Sequence, residues 1–455
     1  MGQQPAYTEP HFDGLFPQNF HTPNIDFEKG VGETIIDANG NTYIDVASGN
    51  QNVTIGHGRE EIAEAAYEQL SSLEYIPMQQ TTESVRSFGE TITGFMPDGF
   101  ERAWLVSGGS LAVESTIAMV RQYHTERGNE RKHKFITRRG SYHGTTLGAL
   151  SATGFEMYTT HMDPLLQDFP KAPRGNQYRC TLCGGGGGSE CGRRCADMFE
   201  QLVLEHGPEN VAAFMAEPVG GSQSQGERPH PEYFERVREI CDEYDILFVV
   251  DEILTGIGRT GTNFAIEQYD ITPDIIVTGK GVTAGYAPAG VVMPHNRVVE
   301  VFREIPHGFA HGYTNCFHPG TAAIAKAVLE FTRQNELVEN AATVGSYLGE
   351  RLTSLYDYDA VGDVRGVGLL HGVEFVADRE TKEPLDVDFE LQQALVEAGL
   401  DNGVLLSTEG GHLDGKNGDL LVIAPPLTIE ETQVDDMVDR IYTAVGDALA
   451  RVGVA

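Results

Sequence analysis

Short apolar runs alternate with helical patterns along the chain from about residue 80 to residue 325. The runs are typical of buried strands, and the stretches between them space their apolar residues three and four apart, as amphipathic helices do. The predicted strands are 103–106, 134–137, 211–216, 246–250 and 274–277. This alternation requires parallel strands joined by crossover helices, which predicts an α/β fold with a mostly parallel central sheet.

The segments before and after this region have a different pattern. A length of 455 residues suits two or three domains. Two short strands flank the turn Asn39-Gly40. Helices and strands mix in the C-terminal part of the chain. We predict that residues 71–325 form a large domain and that residues 1–70 and 326–455 together form a smaller α/β domain.

The chain is strongly acidic, because it contains 67 Asp and Glu residues and only 32 Lys and Arg residues, for a net charge of −35. Such a body repels phosphate backbones, so general nucleic-acid binding is excluded. Acidic residues spread along the whole chain indicate adaptation to a high-salt cytoplasm, a halophilic trait, although an ordinary acidic protein has the same composition.

The sequence contains no apolar stretch long enough to span a bilayer, and its first ten residues are polar. We therefore expect a cytoplasmic protein without a membrane partner.

A lysine and an aspartate follow two predicted strands. Asp251 comes directly after 246–250, and Lys280 comes shortly after 274–277. The carboxyl ends of parallel strands lie at the same edge of a sheet, where α/β proteins bind ligands. We therefore expect the two side chains to lie close together there. A lysine at such a site can form a Schiff base, and an aspartate can hold a pyridine nitrogen protonated. A structural ion pair explains the same placement equally well.

Two further segments are predicted to reach the same edge. Ser107-Gly-Gly-Ser110 leads from a strand into a helical pattern, where free backbone N–H groups and the Ser110 hydroxyl can receive a phosphate. Ser141-Tyr-His-Gly144 follows the strand 134–137 and offers the aromatic face of Tyr142. Each segment alone is weak evidence, since many strand–helix turns look like it.

Together, and in this order, these segments resemble the class III pyridoxal-phosphate-dependent aminotransferases of fold type I. The resemblance covers most of the chain, and its most specific part is the run DEILTGIGRTG ahead of Lys280. The matching segments are 37–45, 56–57, 107–110, 142–144, 217–219, 251–261, 311–314 and 425–427. The resemblance implies fold type I, pyridoxal 5'-phosphate as the cofactor and aminotransferase activity.

The resemblance also implies three catalytic residues. Lys280 would form the Schiff base with the cofactor and then, as a neutral amine, move the proton. Asp251 would pair with the pyridinium nitrogen, and Glu217 would lie beside the substrate.

Other residues are implied to hold the cofactor. Tyr142 and Ile253 would sandwich its ring, and Gly109 and Ser110 would bind its phosphate. Thr314 would reach the phosphate of the neighbouring subunit, which implies a homodimer with shared active sites. Whether dimers pair into tetramers is left open.

Three positions depart from common family patterns: Leu111, Leu254 and Val422. Val422 stands where members that use glutamate- or ornithine-type substrates carry an arginine, whereas members that use pyruvate often have an apolar residue. We therefore expect ping-pong transfer from an amine or ω-amino acid to a 2-oxo acid, with pyruvate favoured. An aminomutase or amino-acid racemase of the same family is the alternative.

The run Gly256-Ile-Gly-Arg-Thr-Gly261 also fits a dinucleotide-binding pattern, with Asp274 as the acidic residue that follows. Its glycines do not lie directly at a strand end, and Asp274 opens the next strand instead of closing it. A nicotinamide-dependent oxidoreductase is therefore a weak alternative.

Four cysteines cluster in the sequence: Cys180, Cys183, Cys191 and Cys195. They could bind zinc, although their spacing is not that of a standard zinc finger or ribbon. Four reduced thiols in an irregular loop are the alternative.

Overall fold

The structure is a computed structural model that describes residues 7–8, 24–180, 182 and 189–454. Within these ranges no helix is long and apolar enough to cross a membrane. The strands of the described ranges are β1 (Tyr7–Thr8), β2 (Asn24–Ile25), β3 (Phe27–Val31), β4 (Thr34–Asp37), β5 (Thr42–Asp45), β6 (Trp104–Val106), β7 (Lys134–Arg138), β8 (Lys171–Ala172), β9 (Val211–Ala216), β10 (Leu247–Glu252), β11 (Ile275–Gly279), β12 (Gly290–Pro294), β13 (Val361–Val367), β14 (Leu370–Phe375), β15 (Val404–Leu405), β16 (Ser407–Gly410) and β17 (Asp419–Ile423).

The helices lie mostly between these strands. They are α1 (Ser48–Gln51), α2 (Glu60–Ser72), α3 (Glu83–Thr93), α4 (Gly109–Glu126), α5 (Leu147–Ala152), α6 (Glu156–Thr159), α7 (Ser189–His206), α8 (Pro231–Glu243), α9 (Asn296–Arg303), α10 (Pro319–Gln334), α11 (Leu337–Leu352), α12 (Leu391–Asp401) and α13 (Glu431–Val452).

The central sheet has seven strands in the order β6-β12-β11-β10-β9-β7-β8. Strand β12 is antiparallel to both of its neighbours, and the other adjacent pairs are parallel. The predicted mostly parallel sheet is therefore confirmed, although the prediction missed β8 and β12. Strands β9, β10 and β11 are buried along their whole length, because helices cover both faces of the sheet.

Sequence-distant segments build the smaller α/β part. Strand β15 pairs in parallel with β5, which joins the C-terminal region to the sheet β5-β4-β3 near the N-terminus. A second sheet, β13-β14-β17-β16, is antiparallel. The expected smaller α/β part from both ends of the chain is thus present, whereas the division at residues 70 and 325 stays a prediction.

Helices α10 and α11 are separated by a short break. Helix α10 ends at Gln334 and α11 begins at Leu337, because Glu336 adopts a left-handed φ of 52° that interrupts the helix. The apolar positions of α11 and α13 face a shared core, where each fully buried Val, Leu or Ile contributes about 1.5–3 kcal/mol.

Candidate active site

A cavity of about 350 Å³ opens at the carboxyl ends of β10 and β11. Asp251 lies near the end of β10, and Lys280 directly follows the neighbouring parallel strand β11. The two residues were expected to meet at this edge, and both line the cavity. The other sequence-predicted residues on its wall are Gly109, Ser110, Tyr142, Glu217 and Ile253.

Lys280 has a strained backbone and a perturbed amine. Its φ is 33°, in the left-handed region that is costly for a residue with a Cβ. Its Nζ donates hydrogen bonds to the Asn50 carbonyl oxygen at 2.9 Å and to Gln51 Oε1 at 3.2 Å. Burial, together with the nearby Arg259 guanidinium, lowers the pKa of Lys280 from 10.5 to about 8. A substantial part of this amine is therefore neutral near physiological pH.

Asp251 is held in place by two hydrogen bonds. Its Oδ2 accepts from Nδ1 of the fully buried His143 at 2.7 Å, and its Oδ1 accepts from the Ile253 backbone N–H at 3.0 Å. His143 belongs to the segment 141–144 that offers Tyr142, and no role was predicted for it. Its position between two quoted family residues was the only signal for it.

Gly109 and Ser110 begin helix α4, as the phosphate prediction requires. The N–H groups of a first helical turn have no partner within the helix, so they are available to an anion. A Cβ added to Gly109 would lie 3.1 Å from Ile253 Cδ1, so a larger residue would press on the cavity wall. Ser110 Oγ accepts from the Thr145 backbone N–H at 3.1 Å, which fixes this turn against its neighbour.

Aromatic rings form one side of the cavity. Tyr142 packs against Tyr158 with ring centroids 5.4 Å apart, and both tyrosines line the cavity. Ile253 contributes an apolar side chain to the wall. The two residues predicted to sandwich the cofactor ring thus both border the same space.

Two glutamates make the remaining wall acidic. Glu217 Oε1 accepts from the Gly221 backbone N–H at 3.1 Å, and burial raises the pKa of Glu217. Glu409, on β16, accepts at Oε2 from Gln223 Nε2 at 2.9 Å, and burial raises its pKa as well. No sequence pattern singled out Glu409, because nothing local indicates that β16 reaches this cavity. Among the described residues that line the cavity, Lys280 is the single lysine or arginine.

Other positions singled out from the sequence lie elsewhere. Thr314 is exposed and does not line the cavity within this chain. Val422 is buried in β17, whereas Leu254 does line the cavity. None of the described cysteines of the four-cysteine pattern lines it, and Cys183 lies outside the described residues.

Asp274 has a structural role. Its carboxylate accepts from the Phe248 backbone N–H at 2.7 Å and pairs with Arg238 and Arg297. These partners occupy the carboxylate, and Asp274 precedes β11 instead of ending a strand. The dinucleotide interpretation therefore has no support.

Comparison with known proteins identifies the family. The family model described as "Aminotransferase class-III" matches residues 16–445. The chain is a class III aminotransferase.

Relatives of this aminotransferase carry consistent names. "Probable aminotransferase Rv3329" of Mycobacterium tuberculosis is 36% identical, over 90% of this chain and 86% of that protein. "Putrescine–pyruvate aminotransferase" of Pseudomonas aeruginosa is 33% identical, over 90% of this chain and 88% of the relative. An amine transaminase from an uncultivated Pseudomonas species, solved with pyridoxal phosphate bound, is 30% identical with a TM-score of 0.88, over 96% of this chain and 98% of that one.

Pyridoxal phosphate is the cofactor of class III aminotransferases, and the residues of this cavity fit it. The cavity offers an amine at Lys280, a buried carboxylate at Asp251 and a helix N-terminus at Gly109. Glu217 Oε2 and His143 Nε2 are buried without a hydrogen-bond partner among the described residues, as expected where a polar group is to be received.

Proposed function

We propose that this class III aminotransferase moves an amino group from an amine or ω-amino acid to a 2-oxo acid, with pyruvate favoured, in two successive half-reactions. The observation that carries the proposal is the composition of the cavity. It places a lysine with a lowered pKa beside carboxylates, and its described lining contains no arginine.

The acidic lining supports pyruvate over a dicarboxylic acceptor. 2-Oxoglutarate carries two carboxylates and pyruvate carries one, so acidic side chains near the substrate penalise 2-oxoglutarate more. Glu217 and Glu409 both border the cavity, and the apolar Leu254 lies close to Gly221 on the same wall. The same lining accommodates a neutral or cationic end of an amine donor.

The side chains of the cavity have distinct roles in the proposal. When bound, pyridoxal phosphate supplies an electron sink that weakens the C–H bond next to the amino group. Lys280 Nζ would hold the cofactor and, as a neutral amine, would take the proton from the substrate carbon and return it. Asp251, oriented by His143, would keep a proton on the ring nitrogen of the cofactor. Glu217 lies beside the substrate.

The remaining residues position the cofactor. Tyr142 and Ile253 would hold the ring between them, and Gly109 and Ser110 would bind the phosphate. Thr314 is exposed in this chain and would reach the phosphate of the neighbouring subunit in a homodimer.

A panel of amine and ω-amino-acid donors tests the proposal. Each donor is assayed with pyruvate and with 2-oxoglutarate, and alanine or glutamate formation is quantified. We expect kcat/KM to be higher with pyruvate. Donor added without acceptor should change the bound-cofactor absorbance once, and pyruvate should restore it. Product formation without consumption of a 2-oxo acid would instead identify an aminomutase or racemase, and preference for 2-oxoglutarate would refute the acceptor argument.

A further inference from the structure

Three cysteine sulfurs lie close together in the core that α7 and α8 share with the central sheet. Cys180 Sγ lies 3.4 Å from Cys191 Sγ and 3.8 Å from Cys195 Sγ, and all three sulfurs lie within 4.8 Å of one another. Each of the three cysteines is at most 6% exposed. The cluster is separate from the cavity described above.

Helix geometry accounts for the convergence. Cys191 and Cys195 are four residues apart on α7, so their side chains share one helix face. The two cysteines share a buried core with Tyr233 and Phe234 of α8. The helices approach closely here, since a Cβ added to Gly192 would lie 3.1 Å from the Tyr233 backbone nitrogen. Cys180 reaches the same face from the segment that precedes α7.

The distances fit a tetrahedral metal site. A zinc ion bound by thiolates at about 2.3 Å requires neighbouring sulfurs about 3.8 Å apart. The two measured separations from Cys180 Sγ lie close to this value. They are much longer than the roughly 2.05 Å of a disulfide, so these sulfurs are not joined to Cys180. Clustered soft thiolates select zinc over magnesium or calcium.

We infer that Cys180, Cys191 and Cys195 bind a structural zinc ion. Cys183, the fourth cysteine of the sequence pattern, lies outside the described residues, so its role as a ligand stays a prediction. The inference depends on the three described sulfurs and is independent of the donor and acceptor proposed above.

The surroundings can stabilise the negative charge of bound thiolates. Tyr233 is fully buried in the same core as the three cysteines. Its hydroxyl has no hydrogen-bond partner among the described residues, so it is available as a donor. The aromatic core around the cysteines excludes water, which slows exchange of a bound ion.

The ion would anchor a segment that holds the smaller α/β part. Arg179, next to Cys180, forms an ion pair with Glu374 of β14 and donates to the Lys382 carbonyl oxygen at 2.5 Å. Lys382 Nζ in turn donates to the Tyr178 carbonyl oxygen at 2.6 Å. A zinc ion that fixes Cys180 to α7 would also hold the neighbouring residues in place for these contacts. The zinc site would thus link the central sheet to β14.

The first test measures metal in the wild-type holoenzyme purified without chelator. Elemental analysis should find about one zinc per chain, with no matching iron or copper. A mercurial thiol reagent should release zinc in proportion to the cysteines that it modifies. Cobalt, exchanged for zinc, should show the thiolate charge-transfer and ligand-field bands of a tetrahedral sulfur site. Holoenzyme without stoichiometric zinc, or with a disulfide involving Cys180, would overturn the inference.

Matched cysteine variants locate the ion. Cys191→Ser and Cys195→Ser should reduce zinc to background and lower the thermal unfolding temperature. The control is Cys241→Ser, because Cys241 is equally buried in the same aromatic core but is not part of the cluster. It should retain full zinc. Loss of zinc in the control, or zinc retained in both cluster variants, would refute the assignment. If the cluster variants fail to fold, the mercurial titration of the wild-type enzyme decides.

Discussion

The lowered pKa of Lys280 leads to a quantitative prediction for the apoenzyme. An ordinary lysine amine has a pKa of 10.5, and burial in this cavity lowers it to about 8. The difference of 2.5 makes the neutral amine roughly 300-fold more abundant at pH 7, equivalent to about 3 kcal/mol. Only the neutral amine attacks an aldehyde, so pH is the perturbation that separates a buried lysine from an exposed one.

The assay is the rate at which apoenzyme captures pyridoxal phosphate, followed by stopped-flow absorbance between pH 6 and pH 10, a range chosen to bracket the pKa of about 8. Below about pH 8 the rate should rise about tenfold per pH unit, and above it the rate should level off. A small-molecule lysine amine measured in the same buffers corrects for titration of the cofactor itself. Lys280→Ala is the protein control and should show no covalent capture.

A half-maximal rate near the pKa of the free lysine amine would refute the reasoning. It would mean that water reaches Nζ in solution and that burial does not control the amine. A half-maximal rate well below pH 8 would instead mean that the Arg259 cation outweighs the carboxylates around Lys280, which favour the charged form.

Four substitutions in the cavity give further predictions. Lys280→Ala should keep the fold, as judged by circular dichroism, and lower kcat by at least roughly 10²- to 10⁴-fold, the size of a proton-transfer contribution; near-normal turnover would contradict its role. Asp251→Asn should lower kcat by roughly 10²- to 10³-fold, because the ring nitrogen loses its negatively charged partner, and a kcat equal to that of the wild type would contradict this. Glu409→Gln should improve kcat/KM for 2-oxoglutarate relative to pyruvate by about fivefold, or about 1 kcal/mol. The substitution removes one repulsive charge, while the amide oxygen can still accept from Gln223. An unchanged ratio would show that this carboxylate does not contact the acceptor. Thr314→Ala should speed cofactor loss from the proposed homodimer, measured by dialysis and absorbance, and cofactor retention equal to that of the wild type would argue against a shared site.

The sequence alone determined five strands of the mostly parallel central sheet and the placement of two side chains at one of its edges. Alternating apolar runs and helical patterns depend on residues a few positions apart, so strands such as β9 could be predicted to the residue. The carboxyl ends of parallel strands lie at the same edge of a sheet, so the sequence alone predicted that Asp251 and Lys280 lie close together. The antiparallel strand β12 was missed, because periodicity alone does not identify a short buried run as a strand.

Only the tertiary structure decided what surrounds those two residues. His143 lies 108 positions from Asp251 in the sequence, and Glu409 lies 186 positions from Gln223. The Asn50 carbonyl oxygen that accepts from Lys280 is 230 positions away. Such contacts form when helices and sheets that are distant in the sequence pack to bury their apolar faces. No local sequence pattern indicates which of these elements pack together. The pKa of Lys280 follows from that packing, since burial depends on every element that closes over the amine.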